Sequence, residues 1–141
     1  MKLVIASDHA GYAYKEEVKK FLAKKGHEIK DVGTHSTESC DYPIFAKEAA
    51  KEVAEKKAEF GILICSSGEG IMMAANKVKG VRAGLAYNDD VARLMRQHNN
   101  ANMIAFGANF MELEDVLKRI EIFLKTEFEG GRHERRVNEI E

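Results

Sequence analysis

FGILICSSGEGI, residues 60–71, carries the reading of the fold. FGILI has the length and apolarity of a buried strand, and Cys65-Ser66-Ser67-Gly68-Glu69-Gly70 is a short polar turn before apolar residues resume at helical spacing. The pattern predicts a strand that passes through a glycine turn into a helix running from about Ile71 to Lys77.

Working outward, the same unit recurs on both sides. LVIAS (3–7) reads as a strand, and beyond Gly11 the residues Tyr14, Val18, Phe21 and Leu22 form the stripe of an amphipathic helix. Gly26 ends that helix, HEIKDVG carries a second strand, and the sole proline, Pro43, sits where a first helical turn accepts it, ahead of IFAKEAAKEVAEKK. VRAGLAY (81–87) reads as a fourth strand, and DDVARLMRQH as a helix capped by Asn88 or Asp89. NMIAFG reads as a fifth strand. A last long helix places Leu113, Val116, Leu117, Ile120 and Leu124 on one face, before the charged tail EGGRHERRVNEIE. Alternating strands and helices with strand-length apolar runs predict an α/β fold, a doubly wound five-stranded parallel sheet with helices on both faces and a helical tail. At 141 residues, without a linker, repeat or low-complexity segment, residues 1–141 read as a single domain.

Composition narrows the partners. The 22 Lys and Arg balance 23 Asp and Glu with no basic block, which leaves no electrostatic drive toward nucleic acid or an anionic membrane. MKLVIASDHAG runs into a strand-like segment, and no stretch approaches the ~18 apolar residues of a membrane span, so the expectation is a cytoplasmic protein. Cys40 and Cys65 lie too far apart for a CxxC pair, and a reducing compartment keeps both as thiols.

In a doubly wound sheet, ligands gather beyond the carboxyl ends of the strands at the topological switch point. Two stretches follow strands there, Ser7-Asp8-His9-Ala10-Gly11 and Cys65 to Gly70. A glycine turn entering a helix aims backbone N–H groups and the positive end of the helix dipole at its ligand, which suits an anion or an enolate oxygen. Cys65 reads in two ways: as a small apolar filler at a strand end, or as a thiol whose thiolate is favoured at a helix N-terminus, with Glu69 opposing. Gly68 and Gly70 begin a dinucleotide fingerprint, but Met73 occupies its third glycine position, while Asp89 and Asp90 fall near the distance of a ribose-binding acid. Asp8 and His9 have no metal-ligand spacing and suit sugar hydroxyls or phosphate better. His27 and His35 read as exposed polar residues, and Cys40 as incidental. Arg132 and Arg136, at i and i+4, share a helix face and suit a phosphate clamp; the alternative is a solvated terminus with Glu129, Glu134 and Glu139 as local partners.

Taken together, SDHAG (7–11), DYP (41–43), ICSSGEGI (64–71), AANK (74–77), RQHNNAN (96–102) and GGRHERRV (130–137) closely resemble the ribose-5-phosphate isomerase type B family, which also contains the paired subunits of galactose-6-phosphate isomerase. The resemblance implies a cofactor-free and metal-free interconversion of ribose 5-phosphate and ribulose 5-phosphate, by a homodimer or homotetramer. It implies Cys65 as base, Ser67 as the hydroxyl attending the sugar oxygens and His98 as ring-opening acid. Asp8, His9, Tyr42 and Asn99 match substrate contacts, the turn of Ser66, Ser67, Gly68, Glu69 and Gly70 matches the anion loop, and Arg132 and Arg136 match phosphate ligands. Asn109 stands where some members carry a further phosphate-binding arginine. Two alternatives remain at this level: a subunit acting on a six-carbon sugar phosphate, and a nucleotide-binding module without chemistry.

One geometric expectation follows from the strand reading. His98 precedes the fifth strand, at the amino edge of the sheet, whereas Cys65 ends the third, at the carboxyl edge. At ~3.3 Å per residue a five-residue strand separates those edges by roughly 16 Å. His98 and Asn99 are therefore expected to serve the Cys65 of a partner subunit, as the resemblance also implies.

Overall fold

Both faces of the central strands are apolar, so the sheet is covered on both sides. The computed structural model describes residues 1–141. Its parallel strands are β1 (Lys2–Ser7), β2 (Glu28–Asp31), β3 (Phe60–Cys65), β4 (Ala83–Leu85) and β5 (Met103–Gly107), in the order β2-β1-β3-β5-β4. The helices are α1 (Tyr12–Lys24), α2 (Tyr42–Ala54), α3 (Glu69–Ala75), α4 (Asp89–Gln97), α5 (Leu113–Lys125) and α6 (Arg132–Asn138). Leu3, Ile5, Ile62, Ile64, Ile104 and Phe106 point to the layer of α1, α4 and α5; Val4, Ala6, Leu63, Cys65, Met103 and Ala105 point to that of α2 and α3. Ile5, Ile62, Ile64 and Ile104 are fully buried, and each such side chain contributes ~1.5–3 kcal/mol through its removal from water.

The chain moves from β1 outward to β2, then crosses to the other side for β3, so the order reverses between β1 and β3. Ser7 pairs with Ile64 there, which sets the ends of both strands side by side. Gly11 lets α1 start against β3, because a side chain at that position would strike the Ile64 carbonyl.

The structure shifts one predicted element two residues toward the N-terminus and shortens another. α3 begins at Glu69 and ends at Ala75, since Gly68, at φ +85°, turns the chain straight into the helix. β4 covers only three residues of VRAGLAY, because the N–H groups of Arg82 and Ala83 are taken by the side-chain oxygens of Asn102 (2.8 Å) and Asn76 (2.7 Å). Pro43 lies in the first turn of α2. Asn88, rather than Asp89, caps α4, accepting from the Val91 N–H at 2.8 Å. His27 is half-buried rather than exposed, beside the terminal amine.

Candidate active site

The loop after β3 is held from several sides. Gly68 donates its N–H to the Cys65 sulfur at 3.1 Å, and Glu69 donates its N–H to the Ser67 hydroxyl at 3.2 Å. The Asn109 amide donates to the Ser66 hydroxyl at 2.7 Å, and the Asn109 N–H to the Ser66 carbonyl at 3.1 Å. Gly107 has no room for a side chain against the Ser67 backbone, and a Cβ on Gly68 would lie 2.5 Å from Leu85. With the loop fixed, the N–H groups of Ser67, Gly70 and Ile71 find no acceptor in the chain. Gly70 and Ile71 carry orphan donors of the first turn of α3, and Ser67 lies just ahead of its N-cap, Gly68.

Cys65 lies between the core and this loop. Its side chain is 4% exposed and packs among the residues under α2 and α3, yet its sulfur accepts from the loop that presents the free N–H groups. Tyr42, from the first turn of α2, crosses Gly70 so closely that a Cβ there would sit 2.6 Å from the ring.

The loop after β1 lies alongside. Asp8 is 6% exposed and accepts the Gly11 N–H at 3.1 Å, which closes the turn into α1. His9 accepts the Cys40 N–H on Nδ1 at 3.3 Å, and the Cys40 sulfur stands 3.9 Å from the same nitrogen. Cys40 is thus not incidental to position: its backbone N–H sets the ring orientation of His9 through Nδ1. Both cysteines are free thiols. The Ser7 hydroxyl, fully buried at the end of β1, has no hydrogen-bond partner.

His98 and Asn99 lie at the opposite edge of the sheet. His98 ends α4, just ahead of β5, whereas Cys65 pairs with Gly107 at the far end of β5. Four steps from Met103 to Gly107 at ~3.3 Å put roughly 13 Å of strand between those levels. Arg96, 8% exposed, anchors this corner by donating to the carbonyls of Thr126 (3.1 Å) and Ala101 (2.7 Å).

The tail is a helix, not a solvated run. α6 buries His133 and Val137 and leaves Arg132 and Arg136 exposed without a carboxylate partner; Glu129 instead approaches His133 at 3.6 Å, and Glu139 approaches Arg135 at 3.9 Å. The His133 ring stacks on His98 with centroids 4.2 Å apart and planes 13° from parallel. Burial, then the neighbouring His98 and Arg132, hold His133 below the ordinary histidine range. Sequence reasoning missed His133. The only signal was its place three residues before Arg136 in GGRHERRV, which does not reveal which side of the helix is buried.

Ser67 and Glu69 border an open cleft of about 420 Å³ with Tyr87 and Phe110, while a cleft of about 520 Å³ at the amino edge, between Lys57, Phe60 and Arg96, holds none of these residues. A parallel α/β sheet with a thiol, hydroxyls and free N–H donors at its switch point is the layout of an enzyme for a small polar anion.

The chain belongs to the Ribose/Galactose Isomerase family, which matches residues 3–140. It is 41% identical over 139 residues to the ribose-5-phosphate isomerase B of Escherichia coli, covering 99% of this chain and 93% of that one. The structure of Clostridium thermocellum ribose-5-phosphate isomerase B superposes with a TM-score of 0.98 at 46% identity, over 99% of this chain and 95% of the other. That of Mycoplasma genitalium ribose-5-phosphate isomerase B with bound ribulose-5-phosphate gives 0.95 at 41% identity, over 99% and 93%.

Proposed function

We propose that the protein interconverts ribose 5-phosphate and ribulose 5-phosphate through an enediolate, with Cys65 as the base. The observation that carries this reading is the Cys65 sulfur, 3.1 Å from the Gly68 N–H, in the loop whose N–H groups of Ser67, Gly70 and Ile71 are free. The reaction moves one proton between C2 and C1. Cys65 as thiolate takes the C2 proton of the open-chain aldose, the electron pair passes to the carbonyl oxygen, and the loop N–H groups stabilise the resulting negative charge. The thiol returns the proton to C1, and the Ser67 hydroxyl attends the two oxygens as their proton shifts from O2 to O1.

Asp8, His9 and Tyr42 bind the sugar beside Cys65. His98 and Asn99 of the partner subunit complete the site across a two-fold interface, where His98 opens the furanose ring. Arg132 and Arg136 clamp the phosphate at the far end of the sugar, which spends its binding energy on holding the chain for the reacting carbons. The strand that separates His98 from Cys65 within one chain supports the shared site, as does the exposure of Tyr42 (38%) and Ile44 (63%) at the start of α2. The two free thiols accord with a reducing, cytoplasmic setting.

The test is an isomerisation assay on ribose 5-phosphate and allose 6-phosphate with chelator present. Turnover of the pentose phosphate is expected. Turnover of the hexose phosphate alone would move the protein to the six-carbon branch of the family, and stabilisation by a nucleotide with neither turnover would overturn the reading.

A further inference from the structure

We propose that His98, Glu129 and His133 form a site for a divalent transition-metal ion of the zinc class, and that metal bound there stops isomerisation by occupying His98. The inhibitory half rests on the ring-opening role given to His98 above; the binding half does not.

The ligand atoms of the three side chains lie within 4.8 Å of one another. Zinc holds imidazole nitrogen and carboxylate oxygen at ~2.0–2.2 Å, which sets neighbouring donors roughly 3.4 Å apart, so the widest gap in the cluster needs to close by up to about 1.4 Å. His133 and Glu129 already stand at 3.6 Å. The moving member is His98, which is half-buried and at the end of a helix. Its plane now lies 13° from that of His133 with the centroids 4.2 Å apart, so His98 has to tilt out of the stack for a nitrogen of each ring to reach one ion. Glu129 is set against this corner by its N–H, which donates to the Gln97 carbonyl at 3.1 Å.

A second observation points to a ligand. Nε2 of His133 is buried and without a hydrogen-bond partner, its side chain is 9% exposed, and the nearest carboxylate oxygen is the one from Glu129, too distant to accept from it. Buried ring nitrogens are normally satisfied, and this one faces the only carboxylate of the cluster. Two imidazoles with one carboxylate are a common zinc donor set with a position left open. Arg132 and Arg136 on the same helix oppose a cation, which lowers the affinity below that of structural zinc sites.

Zinc binding is measured by calorimetry on the Cys40→Ala/Cys65→Ala protein, which lacks both thiols, with and without Glu129→Gln. One ion per chain is expected, weakened at least about tenfold by Glu129→Gln. Absence of binding, or binding indifferent to Glu129→Gln, overturns the site. Turnover of ribose 5-phosphate is then followed against zinc in the wild-type and Glu129→Gln proteins. Both are expected to turn over equally in chelator, zinc inhibition to reverse on chelation, and Glu129→Gln to need at least about tenfold more zinc. Equal zinc sensitivity in the two identifies a thiol as the target and overturns the inhibitory claim. Site binding with undiminished turnover overturns it also, and removes His98 from the reaction. A lack of turnover in chelator would refute the isomerase reading while leaving the binding result standing.

Discussion

The N–H of Gly68 donates to the sulfur of Cys65 at 3.1 Å, so one loop both holds the thiol and presents free donors beside it. Cys65→Ala removes the proposed base and leaves the donors. Isomerisation is expected to fall below detection while ribose 5-phosphate still raises the melting temperature; the packing loss from a buried sulfur is about 1 kcal/mol. Cys40→Ala is expected to be nearly silent, because the group that orients His9 is the backbone N–H, which alanine keeps. Equal modest losses in both variants would return Cys65 to a packing role.

His98 and Cys65 belong to opposite edges of one sheet, which makes complementation decisive. Cys65→Ala and His98→Ala, each inactive, are mixed under conditions that exchange subunits. A mixed dimer has one site with both lesions and one with neither, and random 1:1 pairing makes half the dimers mixed, so roughly a quarter of all sites should recover. Confirmed exchange without activity would place His98 within its own chain's chemistry or outside it.

Arg136 is exposed and unpaired on the face of α6 that it shares with Arg132. Arg136→Ala should raise KM for ribose 5-phosphate at least about tenfold, since a charge-assisted phosphate contact is lost. Slow turnover of phosphate-free ribose should not change. A matching loss on both substrates would make the arginine structural.

Tyr42 and Gly70 are locked by contact, with a Cβ on Gly70 falling 2.6 Å from the ring. Gly70→Ala should therefore displace Tyr42, cost about 1–3 kcal/mol by overpacking and lower activity. In the Tyr42→Ala background the same change should cost much less stability, a non-additivity read from denaturant unfolding. Additive losses would show that Gly70 matters through its backbone alone.

Lys15, fully buried in α1, is paired with Asp31 and with Glu16 (3.0 Å), and Lys19 joins both acids. Burial pushes Asp31 up, but hydrogen bonds from Lys15, Lys19 and the Gly33 N–H outweigh it and hold the carboxyl below its ordinary value; Lys19 and then Lys15 lower Glu16 likewise. A carboxyl depressed in the folded state contributes stability that is present above its unfolded pKa and lost as pH falls through the folded one. Stability should thus hold down to about pH 4 and decline below it. Lys15→Met should lower stability by roughly 3 kcal/mol at neutral pH, because it leaves Asp31 short of a buried partner. Urea midpoints across pH 3–7 test both points; an unchanged acid limb in Lys15→Met would rule out the cluster as its source.

The sequence by itself determined most of the elements and which residues stand at the strand ends. Apolar runs such as FGILI, the stripe of Tyr14, Val18 and Leu22, Pro43 in a first turn and an Asn88 cap are local, and local pattern is what hydrophobic period and capping record. The same alternation placed Ser7 and Cys65 at the carboxyl edge and His98 at the amino edge. Only the tertiary structure decided the order β2-β1-β3-β5-β4, the brevity of β4, the Cys40 N–H on His9 and the stack of His133 on His98. Each of these joins residues far apart in the chain. Asn76 and Asn102 displace strand bonds at β4 only once the fold brings their amides to Ala83 and Arg82. In GGRHERRV the arginines and histidine follow one another whichever side of the helix is covered; burial against His98, not spacing, singled out His133.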